Sequence, residues 1–426
     1  VPKYLFYNIV IISSHYLYTL IQAVMQLYGY FKGGFNLNKS LKTLLLFGLI
    51  LGTALLPTNT LVYASTTSNT AKTNTIGNAE PLLKVNKASA LGPIGYTPSQ
   101  IRMAYGLNQV SATGERETIA IVDAYGSPTI KSDLVAFSNQ FGLTQTKLSV
   151  AYPTGKPNII DSGWALETSI DVEWAHAIAP KANILLCVAK SNSYTDLLTA
   201  IDYATSHGVQ VVSNSWSSPE FSYESSYDSH FQHPGVVYLA SSDDVGSGAQ
   251  YPASSPYVLS VGGTTLNIDS NGTYESETGW YGSGGGISYS ELLPSYQKNL
   301  AYMLGNYRGD PDVSWDADPA TGAAVYDTTP YWNYSGWFQV GGTSLGAPSW
   351  AGLIALFDQV HKNPLSSFDA ISKLYNASNL AYSTDFNDII TGNNGAFSCL
   401  PGYDLVTGIG SPKANALIPY FSRLKR

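Results

Sequence analysis

From about Leu91 onward, the chain alternates short apolar runs with segments of helical period. "ETIAIVDAYG" has the continuous apolar middle of a buried strand and ends in a turn. "PTIKSDLVAFSNQFG" reads as a helix, and so does "GWALETSIDVEWAHAIAP". "ANILLCVA" is a strand, and "SYTDLLTAIDYATSHG" is a helix closed by Gly208. "VQVVSNSW" and "GVVYLASS" are further strands. This order predicts an α/β domain with a mostly parallel central sheet and helices on both faces. Ligands of such sheets bind beyond the carboxyl ends of the strands. Three polar clusters fall at those ends: Asp123, Ser213 to Trp216, and Asp243 to Gly246.

Two places break the pattern in ways that suggest chemistry. In "WALETSIDVEWAHAI", Glu167 and Asp171 stand four apart on a helix that otherwise looks made for a core. Like charges at that spacing repel, and a buried carboxylate is costly unless neutralised or bonded. The pair therefore faces either solvent or a site that uses it. In "WFQVGGTSLGAPSWAGLIALFDQV", a glycine-rich turn leads into an apolar helix with Ser344 at or just before its N-terminus. Free backbone N–H groups and the helix dipole favour developing negative charge there. That suits a nucleophile whose attack creates an oxyanion. Taken alone, Ser344 or Thr343 reads equally as a helix cap.

The N-terminal quarter reads differently. Residues 39–64, "KSLKTLLLFGLILGTALLPTNTLVYA", carry two lysines, an apolar stretch and Val62-Tyr63-Ala64, the layout of a secretory signal cut after Ala64. The apolar core is short for a membrane span. Residues 1–38 form an apolar segment interrupted by His, Gln and Ser, and are set apart from the fold as a second membrane segment or as sequence upstream of a start at Met25. Residues 65–90 are read as a polar linker or short prosegment, and the folded domain as 91–426. The expectation is a secreted, extracellular protein, tethered to the cell surface if the signal is retained.

Composition sharpens this. Charged residues make up 12% of the 426 residues, about half the usual share, while tyrosine (31) and glycine (39) are abundant. A surface with few ion pairs changes little when carboxylates protonate, so the composition suits acid. A net charge of −8 and the absence of any Lys/Arg run argue against nucleic acid as a partner. Two cysteines, Cys187 and Cys399, are too few for a disulfide framework, and sequence leaves a bridge between them open. The six histidines show no metal spacing.

Taken together, the motifs resemble a known family. "GGTSLGAPSWAG" resembles the G-T-S-x-x-x-P nucleophile motif of subtilisin-like serine peptidases. "ALETSIDVEWAHAIAP" is similar to the E-x-x-x-D helix of the sedolisins, the serine-carboxyl peptidases. "YTPSQIRMAYGL", "YPASSPYVLSVGGTTL", "DVSWDADPATGAAVYD" and "PGYDLVTGIGSP" resemble other family segments, in order, so the resemblance spans residues 91–415. It implies a three-layer αβα subtilisin-like fold and a monomeric, acid-active peptidase acting on polypeptides. Ser344 would be the nucleophile, Glu167 its general base and Asp171 the partner of that Glu. Two carboxyls so close share a proton and titrate together. "VVYLASSDDVGSG" resembles the family's A-S-S-G-D-S-G, which puts Asp244 in the oxyanion hole, with Asp243 replacing a Gly and Val245 a Ser. Asp123 is read either as an extension of this carboxyl chain or as a turn residue. His176 is read as a packed histidine. Trp216 and 282–290 are candidates for pocket walls by analogy.

The resemblance also implies one structural Ca2+ in the loop 385–412, held by the carboxylates of Asp388 and Asp404 and the carbonyls of Ile389, Leu400 and Gly402. Here the intervening loop is shortened. The family's long prosegment has no counterpart between Ala64 and Leu91. Two other classes were weighed. An inactive binding module on the same fold would lack catalytic residue types, yet all are present. A glycosidase using Glu167 and Asp171 needs its acids on opposite sides of a bond, not side by side on one helix.

Overall fold

A computed structural model describes residues 77–361 and 363–423. The segments 1–38 and 39–64, and the first part of 65–90, lie outside the described residues. Among the described residues, no helix is long and apolar enough to cross a membrane.

The strands begin earlier than the sequence pattern suggested. Strands β1 (Glu80–Pro81) and β2 (Lys84–Ser89) come first, followed by β3 (Thr118–Ala124), β4 (Leu148–Ala151), β5 (Asn183–Ala189) and β6 (Val211–Asn214). Next come β7 (Trp216–Pro219), β8 (Val237–Ser241), β9 (Gln250–Tyr251), β10 (Leu259–Ile268) and β11 (Tyr274–Gly279). Strands β12 (Gly286–Leu292), β13 (Tyr307–Asp310), β14 (Val313–Asp316), β15 (Ala323–Tyr331) and β16 (Tyr334–Gly341) complete the set used below. The helices that matter here are α1 (Ile130–Phe141), α2 (Ser162–Ile178), α3 (Tyr194–Ser206) and α4 (Thr343–His361).

The central sheet runs β11-β10-β8-β6-β3-β5-β4, with β14 also paired to β10. Its pairings are parallel apart from β10 with β11. Parallel neighbours need crossovers, and helices supply several of them. Helices α1, α2 and α4 share one apolar core with one face of the sheet, and α3 packs into a second core on the other. The expected three-layer α/β/α architecture is therefore observed. Ends are set locally: Gly142 takes φ +66° to stop α1, and the Asp161 side chain accepts the Gly163 and Trp164 amides to start α2.

Helix α2 is buried around its whole circumference from Trp164 to Ile178. A helix apolar on nearly all sides belongs inside a large protein, and α4 is its partner. The two approach at Gly352, where a Cβ would sit 2.7 Å from Ile178 Cβ and 3.2 Å from the Ala175 carbonyl oxygen. Close helix packing thus fixes α2 against the helix that begins at the glycine-rich turn.

Residues 77–89 do not hang free as a linker. Strand β1 pairs with β7, and β2 adds to the edge of the β15–β16 hairpin. Both cysteines are buried and free, Cys187 within β5 as expected, so no bridge joins them. Three salt bridges occur among the described residues, Lys181–Glu115, His230–Asp202 and the buried Arg308–Asp312.

Gly352→Ala sets two effects against each other. Alanine gains about 1 kcal/mol of helix propensity over glycine, but forcing a methyl into this contact costs about 1–3 kcal/mol. The contact wins, with a net loss on the order of 1 kcal/mol, read as a lower urea midpoint at unchanged slope. An unchanged or raised midpoint would show that the helices give way at no cost.

Candidate active site

Helix α2 carries Glu167 and Asp171 on one face, and both are fully buried. The solvent-facing alternative for this pair is thereby removed. Asp171 Oδ1 accepts the Ser215 hydroxyl at 2.7 Å. Asp171 Oδ2 and both Glu167 oxygens have no partner of good geometry. The Ser344 hydroxyl and the Leu82 amide lie close enough to Glu167 to favour its ionised form, without closing a proper hydrogen bond. Catalytic contacts are often loose before substrate aligns them.

Ser344 is the second residue of α4, and its hydroxyl is buried and unpartnered. Its backbone N–H donates to the Leu82 carbonyl at 3.3 Å. The turn before it depends on Gly342, which has φ +102°. A Cβ there would meet Asp244 Oδ2 and the Leu82 oxygen, both at 2.5 Å. Only glycine combines that backbone with that space.

Of the two adjacent acids, Asp244 faces the serine turn. Its Oδ1 accepts the Thr343 amide at 2.7 Å and the Thr343 hydroxyl at 2.9 Å, while Oδ2 is left unpartnered. Asp243 turns away: its Oδ2 accepts the Ser217 hydroxyl at 2.8 Å, and its Oδ1 accepts the amides of Asp244 and Val245. Those bonds hold Asp243 at φ +112°, a backbone region that favours glycine. Asp is among the residues that tolerate positive φ when a local hydrogen bond is available, which accounts for Asp at a position where a Gly was expected.

Asp123, at the carboxyl end of β3, is fully buried with both oxygens unpartnered, and its charge bears on both Glu167 and Asp171. It belongs to the carboxyl cluster and is not a turn residue. Its sequence signals were its position at a strand end and its place in the family resemblance. His176 is buried elsewhere on α2, and burial lowers its pKa to about 4, so it is a packed side chain, neutral above that pH. Trp216 is not a pocket wall. Its ring lies in the core beyond the sheet, with its indole N–H on the Val122 carbonyl, and only its backbone borders the site, through β1. The glycine loop 282–290 supports the acid turn from below: the Gly284 amide donates to the Asp243 carbonyl.

Burial dominates the electrostatics. It raises Glu167 and Asp171 well above the ordinary carboxyl range, and their mutual repulsion and that of Asp123 add to it. Burial raises Asp123 to about 7, against a smaller opposing effect of the Thr168 hydroxyl. Burial also raises Asp244 to about 7, against the Thr343 donors and the Lys84 charge. Burial and mutual repulsion thus favour protons on the cluster, which shares fewer negative charges than it has carboxyls.

The C-terminal loop brings Asp388 and Gly402 together. Asp388 Oδ1 accepts the Gly402 amide at 3.1 Å, and the Tyr382 hydroxyl donates to Asp388 Oδ1 and the Gly402 carbonyl. Asp404 Oδ1 accepts the Val406 and Thr407 amides, and its Oδ2 the Leu400 amide. The backbone at Ile389 is buried beside them. Among the described residues, no group of three or more His, Cys, Asp or Glu side chains gathers as a metal site. A hard cation here would need backbone carbonyls beside the two carboxylates.

Comparison with known proteins follows the same lines. A model of the subtilase family matches residues 159–388. The chain is 31% identical over 372 residues to kumamolisin of a Bacillus species, covering 76% of this chain and 63% of that protein. It is 29% identical over 386 residues to sedolisin of a Pseudomonas species, covering 79% and 64%. To rat (Rattus norvegicus) tripeptidyl-peptidase 1 it is 28% identical over 381 residues, covering 77% and 65%. The chain thus spans just under two-thirds of the length of these relatives. A solved structure of Pseudomonas sedolisin, a serine-carboxyl proteinase complexed with two molecules of pseudo-iodotyrostatin, superimposes with a TM-score of 0.68 at 28% identity. That match covers 77% of this chain and 98% of the sedolisin chain.

The raised carboxyls make folding pH-dependent. Unfolded, Asp244 ionises near pH 4; folded, it keeps its proton to about pH 7. Between those values the folded state binds more protons than the unfolded one, so stability is full below about pH 4 and falls as pH rises through 7. Unfolding in urea should therefore need less denaturant at pH 7.5 than at pH 4, with an upper bound of about 4 kcal/mol from Asp244 alone. Asp244→Asn should flatten the slope. Equal midpoints at both pH values would contradict the protonated cluster.

Proposed function

The chain belongs to the subtilase family, in which it is sedolisin-like, and from that premise we propose that it is a serine-carboxyl peptidase hydrolysing polypeptides in acid. One observation carries the reading: Glu167, Asp171 and Asp123 are buried with unbonded oxygens beside a buried, unbonded Ser344 hydroxyl at the carboxyl ends of the sheet. Such groups are costly to bury, and a structural role would have bonded them.

In this reading, Glu167 takes the Ser344 proton as Oγ attacks the scissile carbonyl. Asp171, fixed by Ser215, holds a shared proton against Glu167, so the pair carries one negative charge at a pH where a histidine would be doubly protonated. Asp123 extends the sharing one residue further. The tetrahedral oxyanion receives the Ser344 N–H and the protonated carboxyl of Asp244, two fixed donors in a water-poor site. Glu167 returns the proton to the leaving amine, and water hydrolyses the ester. The signal-like segment 39–64 supports action outside the cell. Calcium, held by Asp388, Asp404 and the carbonyls of Ile389, Leu400 and Gly402, would stabilise the C-terminal loop by linkage, taking no part in chemistry.

Peptide release from an acid-denatured protein across pH 2–8 tests the mechanism. Ser344→Ala should abolish it. Asp244→Ala should lose about 100- to 1000-fold in kcat, whereas Asp244→Asn keeps a donor and should retain more. The wild-type profile should fall as Asp244 loses its proton near pH 7; a peak above neutrality sinks the reading. For calcium, a chelator at pH 5 should lower the melting temperature, and Asp388→Asn should abolish that sensitivity. A melting temperature indifferent to chelator removes the ion.

A further inference from the structure

A glycine was expected at position 243, and the chain carries an acid there whose surroundings are shaped to it. Its backbone sits at φ +112°. Its Cβ has room because residue 284 is a glycine: a Cβ on Gly284 would lie 2.8 Å from it. The Gly284 amide donates to the Asp243 carbonyl at 2.8 Å, and the Asp243 amide donates to the Thr343 hydroxyl oxygen at 3.3 Å. That hydroxyl in turn donates to Asp244 Oδ1 at 2.9 Å. The side chain makes the remaining links. Oδ1 gathers the amides of Asp244 and Val245, and Oδ2 takes the Ser217 hydroxyl at 2.8 Å. Ser217 belongs to β7, which pairs with extended chain at Glu80 and Pro81, just before the Leu82 carbonyl meets the Ser344 amide. Asp243 thus ties β7, the loop after β8 and the serine turn to one point.

Glycine would take this backbone without strain, and Asp does not. Asp243 also sets a second acid beside Asp244. It accepts three hydrogen bonds through its carboxyl and donates none, the pattern of an ionised side chain. It is 6% exposed, so water screens its charge poorly. A negative charge there disfavours a second one on its neighbour. Burial is the main cause that keeps the Asp244 proton in place. The Thr343 donors and Lys84 act against it, and the Asp243 charge adds to it. From α2, Glu167 is the other acid whose charge Asp244 feels.

We propose that Asp243 is a positioning residue for Asp244: its bonds hold the oxyanion donor on the serine turn, and its charge extends toward neutrality the pH range in which that donor works. The inference rests on the peptidase reading. A carboxyl donates to an oxyanion only while it keeps its proton. The Glu167–Asp171 pair has the opposite need, at least one negative charge. Activity therefore spans the interval in which the pair has lost a proton and Asp244 has not. Asp243 lengthens that interval at its upper end while bonding neither Ser344 nor Glu167. The Ser217 bond makes its placement depend on β7, the strand on which extended chain lies.

The test measures peptide release from an acid-denatured protein at saturating substrate, across pH 2–8, by the full chain as wild type, Asp243→Asn and Asp243→Gly. Asparagine keeps an oxygen for the Asp244 and Val245 amides and tolerates positive φ, but carries no charge. Glycine suits the backbone, so that variant folds, and it removes bonds and charge together. In both variants the neutral-side limb should move to lower pH by about half a unit, because Asp243 weighs less on Asp244 than burial, Thr343 or Lys84 does. At pH 4 the glycine variant should lose on the order of tenfold in kcat, and the asparagine variant should recover most of that loss. Limbs that coincide with wild type overturn the role of the charge. Equal kcat in the glycine and asparagine variants overturns the role of the bonds. An active wild type matched by both variants in rate and profile overturns the whole inference and leaves the peptidase reading standing. A folded wild type that releases nothing at any pH overturns both.

Discussion

The cost of burying carboxylates governs this molecule. Glu167, Asp171 and Asp123 sit without a salt bridge in a region walled by α2, α4 and the sheet. Ionising all three would be prohibitive, so the cluster keeps protons, and its chemistry is confined to conditions that supply them. The same constraint extends beyond the site. Burial also raises Glu173, Glu277, Asp310 and Asp316, each met by hydroxyl or amide donors and without a salt bridge. Glu277 accepts from Tyr105, Thr264 and Ser411. The fold therefore favours the neutral carboxyl in several places, and the site is one instance of it.

Within that constraint, rigid backbone sets the chemistry. The packing of α4 on α2 at Gly352 holds the serine turn against the acid face. Gly342 gives the turn its left-handed bend and leaves room for Asp244 and the Leu82 carbonyl at one point. Asp243 is strained into a glycine conformation and repaid by three acceptor contacts, which aim its neighbour at the serine.

The sequence made much of this legible, for identifiable reasons. Glu167 and Asp171 stood out because two acids one turn apart contradict an apolar helix, and Ser344 because a glycine-rich turn precedes an apolar one. The parallel sheet followed from apolar runs separated by helical periods. Asp123 stayed undecided because a strand-end Asp looks the same whether it caps a turn or faces another carboxyl forty residues away. Trp216 was misjudged for a similar reason: backbone direction at the end of β6 decides which side of the sheet an aromatic enters, and no local pattern reports it. Residues 77–89 read as linker because an edge strand that is half exposed carries no apolar period. Its partners, β7 and β16, lie more than a hundred residues downstream.

The scarcity of ion pairs has a further consequence. Of the three salt bridges among the described residues, Lys181–Glu115 spans 3.9 Å between exposed side chains, His230–Asp202 is partly exposed, and Arg308–Asp312 is sealed from solvent. Mobile ions screen only charges they can approach, and exposed pairs contribute little even unscreened. Screening therefore has little to act on in these three pairs, and the buried carboxyls, which mobile ions cannot approach, tie the folded state to proton activity.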